Sequence, residues 1–280
     1  LDSMKTALCL SGRWNQHCDP KWIERTKQHV PHDKVYTGTW SNQIYGLYGE
    51  VHMKQVGFSP DFYFDEPKNE YHPVFDTEAY PDSASELRRD IFPHMLERER
   101  VSKMRYAVGL DDTIYTNSQL VHAHACANWH KQLLIHNEMM KSIPDEYDMI
   151  VRSRFDVVVS DQIPWGELIQ ESYDKDMPIG FNCMNYYGTH KFNELKPMGK
   201  ETTYYINDAL IIHPRDCWDI DLVDSLYKNK ELKSAEEGWY QILSEPFGYY
   251  HKSYHGGCYL SARWEYVKDV DESLHNQSSK

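Results

Sequence analysis

An α/β fold with a mostly parallel central sheet is predicted for this chain, and three observations carry the prediction. Short apolar runs of strand size recur along the sequence and stop at loop-forming residues. Stretches of helical period separate them, and that alternation is the pattern of a parallel sheet flanked by helices. The chain has 280 residues, enough to bury a core without disulfide support.

The first run, residues 6–10, is apolar and is halted by Ser11-Gly12, as in a buried strand ending in a tight loop. Residues 15–28 carry a helical pattern with Pro20 at a suitable start, and residues 35–40 read as a second strand. Residues 45–80 are dense in Tyr, Phe, Pro and Asp and keep neither period, so they read as an aromatic loop region with one short strand. Residues 83–105 alternate in charge and suit one or two exposed helices. The clearest helix runs over 118–142, where Val121, Ala125, Trp129 and Leu133 share a face, Asn117 caps it and Pro144 follows. Apolar runs at 149–151 and 157–159 read as one strand interrupted by charge. Residues 204–206 and 209–212 bracket Asn207-Asp208, and a short helix spans 234–243 with Glu236 and Glu237 in its first turn.

Composition removes several function classes. Acidic side chains outnumber basic ones 43 to 30, a formal net charge of −13 that speaks against nucleic acid as a partner. No apolar run is long enough to span a membrane. Mean hydropathy is low at −0.73. Aromatic residues nevertheless make up 14% of the chain, too many for a disordered one. Six scattered cysteines with no C-x-x-C pair suit reduced, packed thiols rather than zinc. Residues 1–3 read as a cloning scar before Met4, residues 4–268 as one domain and 269–280 as a polar tail; a cytosolic protein is expected.

The segment MIVRSRFDVVVSD, residues 149–161, is the most informative. Arg152, Arg154 and Asp156 interrupt an apolar run, and buried charges of this kind need partners. In open α/β sheets ligands bind beyond the carboxyl ends of strands, where such charges are satisfied. Guanidinium groups suit a diphosphate, and a carboxylate suits a divalent cation or a ribose hydroxyl. The alternative is an internal Arg–Asp pair that only shapes the turn. Other acidic pairs, Asp111-Asp112, Asp219-Ile220-Asp221 and Asp269-Val270-Asp271, do not follow a buried strand and read as turn or helix-start acids. His122 and His124, two apart on a helix, do not face each other and make no metal pair.

This hhhRxRxDhhh pattern resembles GT-A-type glycosyltransferases that carry R-x-R-x-D where relatives carry D-x-D. Leu10-Ser11-Gly12-Arg13 after the first strand, Asn207-Asp208 before an apolar run and Glu236-Glu237 opening a late helix agree with that family in order and spacing. The length and Tyr-rich style are similar to glycosyltransferases of large algal viruses, xylosyltransferases among them. The resemblance covers roughly residues 5–245 and implies one GT-A-like, Rossmann-like domain. It implies transfer of a sugar from a UDP-sugar, xylose from UDP-xylose foremost, to a glycan acceptor with inversion, in a host cytoplasm if the protein is viral.

Under that resemblance Ser11, Gly12, Arg13, Arg152, Arg154 and Asp156 would bind the donor, the arginines offsetting charge on the departing diphosphate. Asp208 or Glu237 would take the acceptor's proton, Asp208 being preferred. Their structural alternatives are an Asx turn for Asp208 and a helix-dipole acid for Glu237. The chain departs from D-x-D because Arg154 replaces the first carboxylate, so Asp156 alone remains for Mn²⁺ or Mg²⁺ and the metal is expected to be weak or optional. The aromatic loop offers ring faces for a sugar or merely packs against the domain. Two other readings stand beside this one. A non-catalytic carbohydrate-binding protein on the same scaffold would not need the R-x-R-x-D charges. A nucleotidyltransferase would show a richer glycine loop than residues 10–13 provide.

Overall fold

The computed structural model describes residues 4–15, 17–41, 47–67, 117–183, 193–197, 206–229, 231–233, 235–248 and 250–261. The helices expected within 83–105, the acidic pairs at 111–112 and 269–271, and the tail at 269–280 lie outside these residues, as do the side chains of His122, His124 and Trp129.

The elements are β1 (Thr6–Ser11), α1 (Pro20–His29), β2 (Lys34–Trp40), α2 (Leu47–Gln55), β3 (Phe62–Phe64), α3 (Asn117–Ser142), β4 (Met149–Ser153) and β5 (Val157–Val159). They continue with α4 (Trp165–Lys175), β6 (Ile179–Cys183), β7 (Lys196–Pro197), β8 (Leu210–Pro214), α5 (Ile220–Lys228), α6 (Ala235–Leu243) and β9 (Lys252–Leu260). Among the described residues the strand order is β3-β2-β1-β4-β8-β6-β9-β5, with β7 paired to β9. The β3-β2-β1-β4 half is parallel throughout. Beyond β4 the sheet becomes mixed: β8 runs antiparallel to β4 and β6, and β9 runs parallel to β6 but antiparallel to β5. An α/β sheet flanked by helices is thus present.

The pleat distributes the core over both faces. Leu8, Leu10, Met149 and Val151 join Trp165, Leu168 and Ile169 of α4 on one side. Ala7, Cys9 and Ile150 point the other way, toward Leu133, Ile135 and Met139 of α3 and Trp239 of α6. Strands buried on both faces read as continuous apolar runs, which is why β1, β4 and β8 are legible in the sequence. Of the four cysteines whose side chains are described, all are buried, and Cys9, Cys18 and Cys217 are free thiols.

Three expectations need correction. The helix expected from Asn15 starts at Pro20, because Asn15 Oδ1 accepts from the His17 N–H (2.8 Å) and Asp19 caps the helix by accepting from the Lys21 N–H (2.9 Å). A side chain that bonds its own backbone in this way competes with helix formation. Residues 45–80 are not loop and strand alone, since α2 forms within them. Tertiary contacts hold α2: Met53 is buried, and Trp14 Nε1 donates to His52 Nδ1 (2.9 Å). Finally, residues 149–159 are two strands and not one interrupted strand. β4 lies between β1 and β8, whereas β5 pairs with β9 at the other end of the strand order. Phe155 anchors the turn between them, its ring 5.2 Å from Trp14 and 5.6 Å from Phe58.

Candidate functional site

The chain runs from β1 to β2 to β3 on one side of β1, and β4 adds on the other side. The strand order therefore reverses between β1 and β4, and a crevice opens at their carboxyl ends, the place where open α/β sheets bind ligands. β1 leaves the sheet through Gly12, whose φ of +146° few side chains adopt. The Gly12 N–H donates to Gly38 O (3.3 Å), and Thr39 Oγ1 donates to Gly12 O (2.9 Å), which ties the β1 and β2 ends together. The resulting pocket has a volume of about 270 Å³ and is lined by Gly12, Arg13, Asn15, Trp40, Lys131, Gln132, Arg152, Arg154, Phe155 and Asp156.

Two ion clusters frame it. Arg154 grips Asp156 through both oxygens, Nε to Oδ1 at 2.9 Å and Nη2 to Oδ2 at 2.8 Å, and Asn15 Nδ2 reaches Oδ2 at 3.4 Å. Burial alone would raise the Asp156 pKa, but the Arg154 charge and these bonds outweigh it and hold the carboxyl below its ordinary value. The internal Arg–Asp pair weighed as an alternative is therefore present, and both of its members line the pocket. In the second cluster Glu66 accepts from Lys131 Nζ (2.6 Å) and from Arg13 Nη2. Burial lowers the Lys131 pKa while the Glu66 carboxylate opposes that shift.

Arg152 differs from its neighbours. The pleat puts it on the Ile150 face of β4, beneath α3 and α6, and it is 0% exposed. Its Nη1 donates to Asp208 O (2.6 Å), Nη2 donates to Gln132 Oε1 (3.3 Å), and its guanidinium lies 5.2 Å from the Trp239 ring. Burial lowers its pKa to about 10, which leaves it charged at neutral pH. It thus joins β4, α3, α6 and the segment before β8.

Of the residues singled out from sequence, Gly12, Arg13, Arg152, Arg154 and Asp156 meet at the pocket, whereas Ser11 is buried in β1 and does not line it. Asp208 is partly exposed and is not among the lining residues; its backbone O accepts from Arg152, and the charge of its carboxylate acts on that guanidinium. Asn207 is buried and structural, with Nδ2 donating to Tyr254 O (2.9 Å). Glu237 is exposed in the first turn of α6 and does not line the pocket. Asp219 caps α5 by accepting from the Leu222 N–H (3.0 Å), the helix-start function expected of it. Sequence reading missed Glu66, Lys131, Gln132, Asn15 and Trp40. Two signals point to three of them: Trp40 and Glu66 lie at or just past the carboxyl ends of β2 and β3, and Lys131 is a cation beside an apolar stretch of α3.

The donor set does not fit a divalent cation. Such an ion needs oxygens with lone pairs to spare. Asp156 is the one carboxylate in the described lining and its charge is already paired with Arg154, and among the described residues no group of three His, Cys, Asp or Glu side chains could hold a metal. Among the described residues, no helix is long and apolar enough to cross a membrane.

No protein-family profile matches the chain, and no curated protein does. Solved structures give weak likenesses. The 4-diphosphocytidyl-2C-methyl-D-erythritol synthase of Anaerococcus prevotii matches with a TM-score of 0.43 and 7% identity over 97% of this chain and 96% of that one. TarS 1-349 of S. aureus matches with a TM-score of 0.33 and 12% identity over 90% of this chain and 60% of that one. A glycosyltransferase involved in glycosylation of the major capsid of PBCV-1 matches with a TM-score of 0.29 and 10% identity, covering 81% and 67%. With TM-scores of 0.43 and below, these likenesses do not bear on what the chain does, which rests on its site.

Proposed function

We propose that the chain is a GT-A-like, nucleotide-sugar-dependent glycosyltransferase. The observation that carries this reading is the cationic pocket at the β1/β4 reversal, where Arg13, Lys131 and Arg154 surround a cleft walled by Trp40. Guanidinium and ammonium groups at strand ends suit a diphosphate, and an aromatic wall suits a base or a sugar ring. The resemblance in R-x-R-x-D supports a UDP-sugar, with UDP-xylose as the favoured donor, a glycan as acceptor and inversion as the stereochemical course.

In that reaction the acceptor hydroxyl oxygen attacks the anomeric carbon as the bond to the diphosphate oxygen breaks. The bonding pair departs with the diphosphate, and the cations stabilise the negative charge that develops there. The hydroxyl proton passes to a carboxylate. Asp208 is favoured for that task over Glu237 because Arg152 fixes its backbone relative to the pocket.

Calorimetric titration with UDP tests the donor site. Wild-type protein is expected to bind UDP, and Arg154→Ala to weaken binding about tenfold, near 1.4 kcal/mol. Unchanged affinity in the variant would remove Arg154 from the site. Asp208→Asn is expected to keep UDP affinity and to lose sugar transfer by roughly a hundredfold or more. Transfer that survives this substitution makes Asp208 structural.

A further inference from the structure

We infer that this pocket takes its nucleoside diphosphate without a divalent cation, an inference that rests on reading the pocket as a donor site. A metal that bridges protein and diphosphate is held by carboxylates whose negative charge is not already neutralised by a neighbouring cation. Asp156 is the one acid among the described lining residues, and Arg154 occupies it in bidentate fashion at 2.9 and 2.8 Å, while Asn15 shares its second oxygen at 3.4 Å. Glu66, the nearest other acid by its contacts, accepts from Lys131 at 2.6 Å and from Arg13, and its side chain is 1% exposed. Seating a dication on either carboxylate would either separate an ion pair or press the dication against the cation already bonded there, and charge-assisted bidentate pairs are among the stronger protein contacts.

Electrostatics leads to the same result. Arg13, Lys131, Arg152 and Arg154 line the pocket, and Asp156 is the one carboxylate beside them in its described lining, while Glu66 and Asp208 act on those cations from outside the lining. A dication would meet these lining cations, whereas a diphosphate is attracted by them. The task that a metal performs elsewhere, neutralising the leaving group, falls here to protein cations with fixed positions.

The test is calorimetric titration of UDP into the wild-type protein, once in EDTA and once with millimolar Mn²⁺. Dissociation constants that agree within about threefold support the inference, being under 1 kcal/mol apart. Binding that is more than about tenfold weaker in EDTA overturns it and leaves the donor-site reading intact. Absence of UDP binding in both buffers overturns the donor-site reading and this inference with it. Electron paramagnetic resonance gives a second readout: the free Mn²⁺ signal in the presence of UDP is expected to be unchanged on adding protein, and its depletion would reveal a protein-held ion.

Discussion

Two polar clusters lie close together in this molecule and solve the cost of burying ionisable groups in opposite ways. The pocket keeps its groups charged and pairs them: Arg154 with Asp156, and Glu66 with Arg13 and Lys131. The second cluster, beneath α3, keeps its groups neutral. His136 Nε2 and His213 Nε2 lie 3.1 Å apart, and His213 Nδ1 lies 2.7 Å from Pro214 O. A carbonyl only accepts, so His213 carries its proton on Nδ1, and His136 Nε2 must donate to the bare His213 Nε2. That leaves His136 Nδ1 as a bare acceptor, in accord with its lack of a hydrogen-bond partner among the described residues. Burial pushes both imidazole pKa values down, with the charges of Arg152 and Arg215 adding to the effect on His136. Trp239 borders both clusters, 5.2 Å from Arg152 and 5.3 Å from His136. Charge is retained where each group has an ion-pair or hydrogen-bond partner, the fully buried Arg152 included, and suppressed in the two imidazoles, since an unpaired buried charge costs far more than a neutral hydrogen-bonded ring.

Breaking the charged cluster should have the largest effect. Glu66→Ala removes the carboxylate that Arg13 and Lys131 share and is expected to destabilise the protein by about 4 kcal/mol, read by urea unfolding. A loss below about 1 kcal/mol would mean that Glu66 contributes little to holding the cations, as in an exposed pair.

The neutral cluster predicts a pH dependence of nearly that size. The imidazoles have depressed pKa values in the folded state, so below 6.5 the unfolded chain binds more protons than the native one. Stability is therefore full above pH 6.5 and falls as pH drops from there toward about 4, where His213 itself titrates. At about 1.4 kcal/mol per pH unit for each imidazole, the loss from His213 alone approaches roughly 3 kcal/mol, and His136 adds to it. Unfolding midpoints measured from pH 8 to pH 4.5 should follow this course, and the slope should shrink in a His136→Phe/His213→Leu double variant. An equal slope in both proteins would assign the dependence to other groups.

Gly238→Ala tests the packing that holds Trp239 against both clusters and should have the smallest effect. A Cβ there would lie 2.3 Å from Leu133 Cδ1 and 2.4 Å from Lys233 O. The resulting overpacking is expected to cost about 2 kcal/mol after the gain in helix propensity is counted. A neutral or stabilised variant would show that α6 can shift on α3 without loss.

Legibility in the sequence tracks the range over which each interaction acts. β1, β4, β8 and α3 are readable because their apolar periods repeat within the element. Arg13, Arg154 and Asp156 are readable as candidates because each lies within three residues of a strand end. α2 escapes such reading because its apolar residues form no single face and Trp14, far along the chain, holds it. Glu66 escapes for the same reason: nothing near it in sequence shows that a helix 65 residues on will bring Lys131 to it. Arg152 and Arg154 look equivalent in the R-x-R-x-D string, yet the strand ends between them, so one is fully buried beneath helices and the other lines the pocket partly exposed.

The sequence by itself determined the alternation of strands and helices and brought Arg154 and Asp156 within two residues of each other, because steric and periodic rules act over a few residues. Tertiary structure alone decided that the strand order reverses between β1 and β4, that Glu66 meets Lys131, and that Arg152 holds the backbone of Asp208 across 56 residues. Those contacts follow from which strands neighbour one another and which helices cover them, and that choice belongs to the burial of the whole core rather than to any local stretch.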